Sequence, residues 1–472
     1  MVLPLNDGAW LITESHEAPQ HVGALMVFSY PEGADDQWLN QLWQRFRQST
    51  DFAPPFNYRL TRPNGIAGVF SWQETTDIDL DHHLQLTALP APGRVRELFM
   101  LVSRLHSVLL DRTRPLWEIH LIEGLEDNRF AIYAKFHHSV FDGVGAMRIM
   151  LRMFSANPEQ RNLPAPWETS SAAERPPDRE NVLVVPRRPV LDLLRSCRSL
   201  ATVFGALWRQ FRDRRRGVEG AILPFSAPRS ILNGHITGPR RFAADGWSFD
   251  RMVQVGRALD VSLNDVALAM CSHALRGYLL DQSELPAKPL TAMIPVSVRS
   301  DDEGAGGNAL SFLVCDLGTH LAEPAARLQR IATSMGRGKA RLSTMKDTER
   351  IGYALLIASP YLLGPLLGFA GKGRPVVNVV ISNVPGTAEP RYLDGARLLG
   401  IYPASVLEQG QALNITFTSY NGEMQFGLTA CRRTLPHVQR MLDHLDDGLV
   451  ALEELAGIMG GHRIGGGLAG AG

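Results

Sequence analysis

Between Arg129 and Phe136 the chain alternates with a period of two. Phe130, Ile132, Ala134 and Phe136 fall on one face, which predicts a buried strand. After Gly143 the period changes: Val144, Met147, Met150, Leu151 and Phe154 recur at helical spacing. The stretch where the two periods meet, Phe136-His137-His138-Ser139-Val140-Phe141-Asp142-Gly143, is thus a strand-to-helix turn with two histidines at the strand's C-terminal end. Upstream, Trp117 to Glu123 predicts a partner strand, joined through Gly124 to Asn128 as a hairpin.

Patterning organises the rest of the chain similarly. His21 to Phe28 predicts a strand ended by Pro31, and Asp35 and Asp36 precede a helix carrying Trp38, Leu39, Leu42, Trp43 and Phe46. Arg94 to Arg112 places Leu98, Leu101, Val102, Leu105, Val108 and Leu109 on one helical face. A second histidine pair, His82-His83, lacks a following Asp-Gly and helix, and reads as structural. From Ser155 to Pro189 prolines among polar residues predict a mobile linker. It runs into an amphipathic segment, Val190 to Phe211, tipped by Arg212, Arg214, Arg215 and Arg216, whose basic end either is solvated or meets an anionic ligand or lipid.

The second half again alternates strands and helices. Ser262-Leu263-Asn264-Asp265 predicts a capped helix start reaching Leu280. Strands are expected at Leu290–Arg299, Ala309–Asp316, Val376–Ser382, Leu413–Ser419 and Met424–Thr429, with a loop at Asn383–Pro390 and a helix from Pro436 to Leu455. This divides the chain into an N-terminal α/β domain (1–155), a Pro-rich linker with an amphipathic helix (156–230), a C-terminal α/β domain (231–458) and a glycine-rich, disordered tail (459–472).

Charge narrows the function classes. The 472 residues carry 48 Lys+Arg and 48 Asp+Glu, so no overall field draws the chain to nucleic acid. Cys197, Cys271, Cys315 and Cys431 form no CxxC pair, which fits reduced thiols and a cytoplasmic setting, and the N-terminus lacks the pattern of a secretory signal. The longest uncharged run, Ile351 to Gly371, is interrupted by Pro360 and Pro365, so it predicts an apolar hairpin or a segment dipping into a membrane surface, not a span.

The turn at His137–Gly143 carries the candidate chemistry. Histidine is suited to taking a proton from a hydroxyl near neutral pH, and His138 reads as the base. If the pleat persists, His137 points to the opposite face, with Tyr133 and Lys135. Adjacent strand histidines diverge and no third ligand has helpful spacing, so no metal or other cofactor is expected. Gly246-Trp247-Ser248-Phe249-Asp250 lacks the closing glycine of a serine-nucleophile elbow. His137 and Asp142 also satisfy the His-x4-Asp pattern of glycerolipid acyltransferases, which leaves His138 and Gly143 unexplained.

From about Leu5 to Leu455 the chain resembles the bacterial wax ester synthase/acyl-CoA:diacylglycerol acyltransferase family. His137-His138-x-x-x-Asp142-Gly143 matches a signature that this family shares with chloramphenicol acetyltransferase-like and condensation folds. More specific are Pro115-Leu116-Trp117-Glu118, Ser262-Leu263-Asn264-Asp265-Val266, Pro295-Val296-Ser297-Val298-Arg299 and Ser382-Asn383-Val384-Pro385-Gly386. One departure is Thr387, where the family usually continues with a second proline.

The resemblance implies a two-domain α/β chloramphenicol acetyltransferase-like, CoA-dependent acyltransferase fold with an active-site tunnel between the domains. It implies His138 as general base, with His137 beside it; Asn264 is the candidate polar group near the reacting centre, hydrogen-bonding the developing oxyanion or the acceptor hydroxyl, the alternative being that Asn264-Asp265 only caps the helix. Asp142 and Gly143 would support the turn, with Asp142 paired to Arg299. Leu355, Leu356 and Ile401 are the acyl-tunnel candidates. The implied substrates are acyl-CoA with a long-chain alcohol or, less efficiently, diacylglycerol. The implied location is cytoplasmic, at the surface of the inner membrane or of lipid droplets and inclusions. Acyl transfer or condensation from a carrier-protein thioester, or lipid binding without turnover, are the competing expectations.

Overall fold

The computed structural model describes residues 5–63, 71–141, 143–168, 225–297, 310–345, 347–366, 371 and 373–458. In chain order the N-terminal half contributes α1 (Leu5–Thr13), β1 (His21–Ser29), α2 (Trp38–Arg47), β2 (Tyr58–Leu60), β3 (Trp72–Glu74), α3 (Leu80–His83), β4 (Leu84–Ala88), α4 (Val95–Leu105), β5 (Trp117–Leu125), β6 (Arg129–His137) and α5 (Gly143–Arg152). The C-terminal half contributes β7 (Arg240–Ser248), α6 (Phe249–Ala258), α7 (Leu263–Asp281), β8 (Thr291–Ser297), β9 (Leu310–Asp316), α8 (Pro324–Thr344) and α9 (Asp347–Leu366). Then follow β10 (Val379–Thr387), β11 (Tyr392–Leu393), β12 (Ala396–Ala404), β13 (Leu413–Tyr420), β14 (Glu423–Cys431) and α10 (Arg440–Leu455).

Two mixed six-stranded sheets organise these elements, one in the order β11-β12-β1-β6-β5-β4 and the other β7-β14-β13-β10-β8-β9. The expected hairpin is present: β5 and β6 pair antiparallel from Trp117↔Phe136 to Leu125↔Arg129. Phe130, Ile132, Ala134 and Phe136 pack with residues of α2 and α5 on one face of β6. The opposite face is covered too: Ala131 and Tyr133 join a second cluster with Leu98, Phe99 and Val102 of α4. Alternation along β6 therefore separates two buried environments, and Lys135 and His137 are enclosed, both at 0% exposure.

The C-terminal core gathers around α7, whose Ser262 and Asp265 form the anticipated capping box. Asp265 completes that box, so Asn264 has no part in it.

Residues 396–404 do not stay with the C-terminal half. The strand β12 pairs antiparallel with β1, with Met26 opposite Ile401, and so belongs to the N-terminal sheet. It also binds the other sheet, since the Ile401 amide donates to Gln425 Oε1 (2.6 Å) and the Ser405 amide to Thr429 Oγ1 (3.0 Å). At Gly427 a Cβ would stand 1.8 Å from the Pro403 carbonyl oxygen, so only glycine lets the two sheets approach there.

Three expectations need correction. Residues 156–168 are docked, not a mobile linker: Trp167 is 0% exposed and stacks on Trp117, and the Leu163 amide donates to Asp394 Oδ1 (2.9 Å). Buried apolar area outweighs the local proline content. Asn383–Gly386 is not loop but part of β10, whose parallel pairing with β13 shifts register between Val384 and Thr387, the interval holding Pro385. Ile351–Leu366 is not a hairpin but lies within the single helix α9. Pro360 cannot donate to the Leu356 carbonyl, and the Ser359 hydroxyl donates there instead (2.8 Å). Among the described residues no helix is long and apolar enough to cross a membrane. Val190–Phe211, Arg212–Arg216 and the glycine-rich tail lie outside the described residues.

Candidate active site

The strand β6 delivers the histidines to a turn closed by the His137 carbonyl, which accepts from the amides of Val140 (2.9 Å) and Phe141 (3.2 Å). On either side the backbone is pinned, His137 N–H to the Leu116 carbonyl (3.0 Å) and His138 N–H to the Gln20 carbonyl (2.9 Å). Leu116 and Trp117 thereby acquire a structural task. Trp117 is buried, donates its indole N–H to the Phe56 carbonyl (2.9 Å), and supports the end of β5 against which the motif is registered. His83 stacks on the same indole at 4.4 Å and contacts the Trp117 carbonyl through Nδ1 (2.7 Å), and burial pushes its pKa down to about 4. The second histidine pair is scaffold, as expected.

The two imidazoles occupy different surroundings. His138 is half-buried, and its ring stacks on the indole of Trp10 with centroids 4.0 Å apart and planes 22° from parallel. His137 is fully buried. Its Nδ1 accepts from the Ser139 amide (3.1 Å) and lies 2.7 Å from Ser139 Oγ. That assignment leaves the proton on Nε2, which faces Glu14 Oε1 at 3.4 Å. Glu14 is itself held by the Arg112 guanidinium (2.8 Å) and the Gln20 amide (3.2 Å). Burial pushes the Glu14 carboxyl up, but the contact with His137, the charge of Arg112 and the Gln20 amide outweigh it and hold the group below its usual range.

Beneath the histidines lies a buried polar layer. His21 faces His137 across the β1–β6 ladder and donates Nε2–H to the His106 carbonyl (2.9 Å). His106 contacts the Ser405 carbonyl through Nε2 (3.1 Å), so its Nδ1 accepts from the Tyr133 hydroxyl (2.6 Å). Burial drives the His106 pKa down to about 3 and that of His21 well below the ordinary value, so both stay neutral. Lys135 pairs with Glu118 Oε2 (2.8 Å) and donates to the carbonyls of Leu105 (3.3 Å) and Val108 (3.2 Å).

Gly143 opens α5, and a Cβ there would meet Val384 at 3.8 Å, so the histidine turn and the Asn383–Gly386 segment abut across the two halves. At Gly386 a Cβ would fall 1.9 Å from the Ser419 carbonyl oxygen, which explains a glycine where β10 presses on β13. Asn264 is half-buried in the first turn of α7. Ile401 packs in the core of the N-terminal sheet, whereas Ile357, next to the half-buried Leu356, joins a separate cluster with Tyr353, Val376 and Val377. Asp142, Arg299 and the Leu355 side chain lie outside the described residues.

Trp10, Glu14, Arg112 and Ser139 are the site residues that sequence reasoning did not single out. The available signal is the spacing of Trp10 and Glu14, four residues apart on one helical turn, with the Glu14 amide donating to the Trp10 carbonyl (3.2 Å). Among the described residues no group of three His, Cys, Asp or Glu side chains is placed to hold a metal ion. What remains is a half-accessible imidazole with an aromatic platform, backed by a buried, hydrogen-bonded partner. This arrangement suits proton transfer at a fixed position.

Comparison with known proteins gives a consistent picture. Residues 3–267 match the profile of the wax ester synthase/diacylglycerol acyltransferase catalytic domain, and residues 306–453 that of the WS/DGAT C-terminal domain. The chain is 44% identical over 454 residues to a putative diacylglycerol O-acyltransferase of Mycobacterium tuberculosis, covering 96% of this chain and 99% of that one. It is 39% identical over 450 residues to the O-acyltransferase WSD of Acinetobacter baylyi, covering 95% and 96%. The solved wax ester synthase/diacylglycerol acyltransferase from Marinobacter aquaeolei VT8 superposes with a TM-score of 0.75 at 40% identity, over 97% of this chain and 100% of that one. The first condensation domain of the calcium-dependent antibiotic synthetase shares the fold alone, with a TM-score of 0.55 at 15% identity over 97% and 96%. The two sheets and their helices thus form the two-domain chloramphenicol acetyltransferase-like fold.

Proposed function

Because the chain belongs to the wax ester synthase/diacylglycerol acyltransferase family, and so is an acyl-CoA-dependent O-acyltransferase, we propose that it makes wax esters from long-chain acyl-CoA and long-chain alcohols. Diacylglycerol is the poorer acceptor. The observation that carries this reading is the environment of His138: half-buried, stacked on Trp10, and pinned through its amide to Gln20.

On this reading His138 takes the proton of the acceptor hydroxyl as its oxygen attacks the thioester carbonyl. A tetrahedral oxyanion forms. Its collapse breaks the carbon–sulfur bond, and the imidazolium returns the proton to the departing CoA thiolate, so no covalent enzyme intermediate is needed. Asn264 donates to the oxyanion, a contact worth roughly 3 kcal/mol when well placed. Gly143 opens the helix that follows the turn, and His137 holds β6 in place through Glu14 and Ser139. Leu355, Leu356 and Ile401 belong to the walls along which the acyl chains lie. The uncharged stretch Ile351–Leu366 of α9, together with exposed Ile12 of α1, suits peripheral attachment to the inner membrane or to lipid inclusions from the cytoplasm.

The test is release of CoA thiol from palmitoyl-CoA with hexadecanol, compared with shorter alcohols and diacylglycerol. Wild-type protein turning over hexadecanol fastest, with a folded His138→Ala protein inactive, is the expected result. A folded His138→Ala enzyme of near wild-type rate sinks the assignment.

A further inference from the structure

Away from the histidine turn, a groove of about 1200 Å³ runs between α4 on one wall and the start of β7, Arg432 and the start of α10 on the other. It is larger than the roughly 300–1,000 Å³ of an ordinary small-ligand site. Along α4 its wall repeats at four-residue spacing, with Arg96, Met100 and Arg104 all exposed and Met100 at 54%. Facing them are Arg241, Arg432 and Arg440. The lining also holds three carboxylates, Glu97, Glu126 and Asp443, of which Glu97 is matched by Arg94 at 3.9 Å. Among the described residues Arg96, Arg104, Arg241, Arg432 and Arg440 make no ion pair, and the buried Nε of Arg241 has no hydrogen-bond partner. Burial, then the neighbouring Arg432 and Arg96, depresses the Arg241 pKa, as expected where cations converge without a counter-charge. Guanidinium groups on two facing walls, with apolar surface between them, match a ligand that carries separated phosphates on a partly apolar body.

The groove also reaches the chemistry through one short loop. Arg240, on its floor, donates to the Glu17 carbonyl (2.8 Å), and three residues later the Gln20 carbonyl accepts from the His138 amide (2.9 Å). Those two anchor points are at most roughly 11 Å apart along the chain. A ligand with phosphates in the groove and its reacting group at His138 must therefore be long, with a slender arm between the two ends. We propose that this arginine-lined groove binds the phosphate-bearing nucleotide of the acyl-CoA donor, with the pantetheine arm passing beside the 14–20 loop to the histidine turn. The inference rests on the acyl-CoA reading above and assigns the donor to the α4 side of the molecule.

The variant that tests it is Arg96→Ala/Arg432→Ala in the full chain, with Arg96→Lys/Arg432→Lys as a charge-keeping control. The expected result is a rise in the acyl-CoA KM of about tenfold or more, with kcat and the acceptor KM within about twofold. Calorimetric binding of CoA and of adenosine 3′,5′-bisphosphate weakens in parallel, and the lysine variant recovers most of it. Unchanged CoA affinity and KM in a folded alanine variant overturn the proposal. So does intact CoA affinity with lost binding to phosphatidylglycerol vesicles, which would make the groove a membrane-facing patch. A wild-type protein that binds CoA through these arginines yet acylates no alcohol overturns the proposed function and leaves the groove assignment standing.

Discussion

The indole of Trp10 lies face to face with the imidazole of His138, 4.0 Å between centroids. One helical turn later Glu14 comes within 3.4 Å of His137. A single turn of chain at the end of α1 therefore grips both histidines, His137 as the last residue of β6 and His138 in the turn beyond it.

Trp10 is half-buried, so its removal should act on rate more than on folding. Trp10→Ala is expected to lower kcat by about tenfold through loss of imidazole positioning, with Trp10→Phe recovering much of it. Steady-state rates with hexadecanol, alongside thermal unfolding of each variant, check this. A rate loss explained wholly by unfolding would contradict it.

Glu14 and His137 predict a pH signature in stability. The Glu14 carboxyl is depressed below its ordinary value of 4.5, so its contribution is full above that value and fades as pH falls through the lower folded-state value. Glu14→Gln leaves Arg112 without its carboxylate and should cost about 3 to 5 kcal/mol near neutral pH. Urea unfolding at pH 7 and again at acidic pH should show the gap between wild type and variant closing. A gap that is constant with pH would remove Glu14 from the ionised network.

The two glycines of the abutting segments should behave oppositely. Gly386→Ala drives a methyl into the Ser419 carbonyl and is expected to destabilise by about 2 to 4 kcal/mol. Gly143→Ala makes only an ordinary contact with Val384 and should change stability by no more than about 0.5 kcal/mol. Melting temperatures of the two variants decide it. Equal losses would mean that approach distance is not what selects these glycines.

Trp167 is fully enclosed between Trp117, Phe46 and Phe52. Trp167→Ala should cost about 3 to 5 kcal/mol, as for any large aromatic removed from a core. Linker-like behaviour, with no loss in denaturant unfolding, would be incompatible with the packing described.

What could be read from the sequence was local. The period-two run of β6, the turn at Gly124 to Asn128, the helical stripe of α4 and the Ser262–Asp265 box each write their signal within a few residues. The misses are long-range. Nothing in Ala396–Ala404 says which sheet it joins, because its alternation fits either one, and the choice is made by β1 pairing and the hydrogen bonds that the Ile401 and Ser405 amides donate to Gln425 and Thr429. Pro360 reads as a breaker in sequence because the compensating hydroxyl of Ser359 is a three-dimensional fact. Glu14 carries no signal of its own because Arg112 and His137, which give it meaning, are distant in the chain.

The crossing of β12 has a consequence for modularity. Whoever exchanges the C-terminal half of this chain for that of a relative also transplants two strands of the N-terminal sheet, β11 and β12, and with them the partner of the strand that faces the histidines. Recombination at the connecting segment is thus not a trade of independent units. Foreign halves are compatible only when their β12 fits the resident β1, so the lineage of one half constrains the lineage of the other.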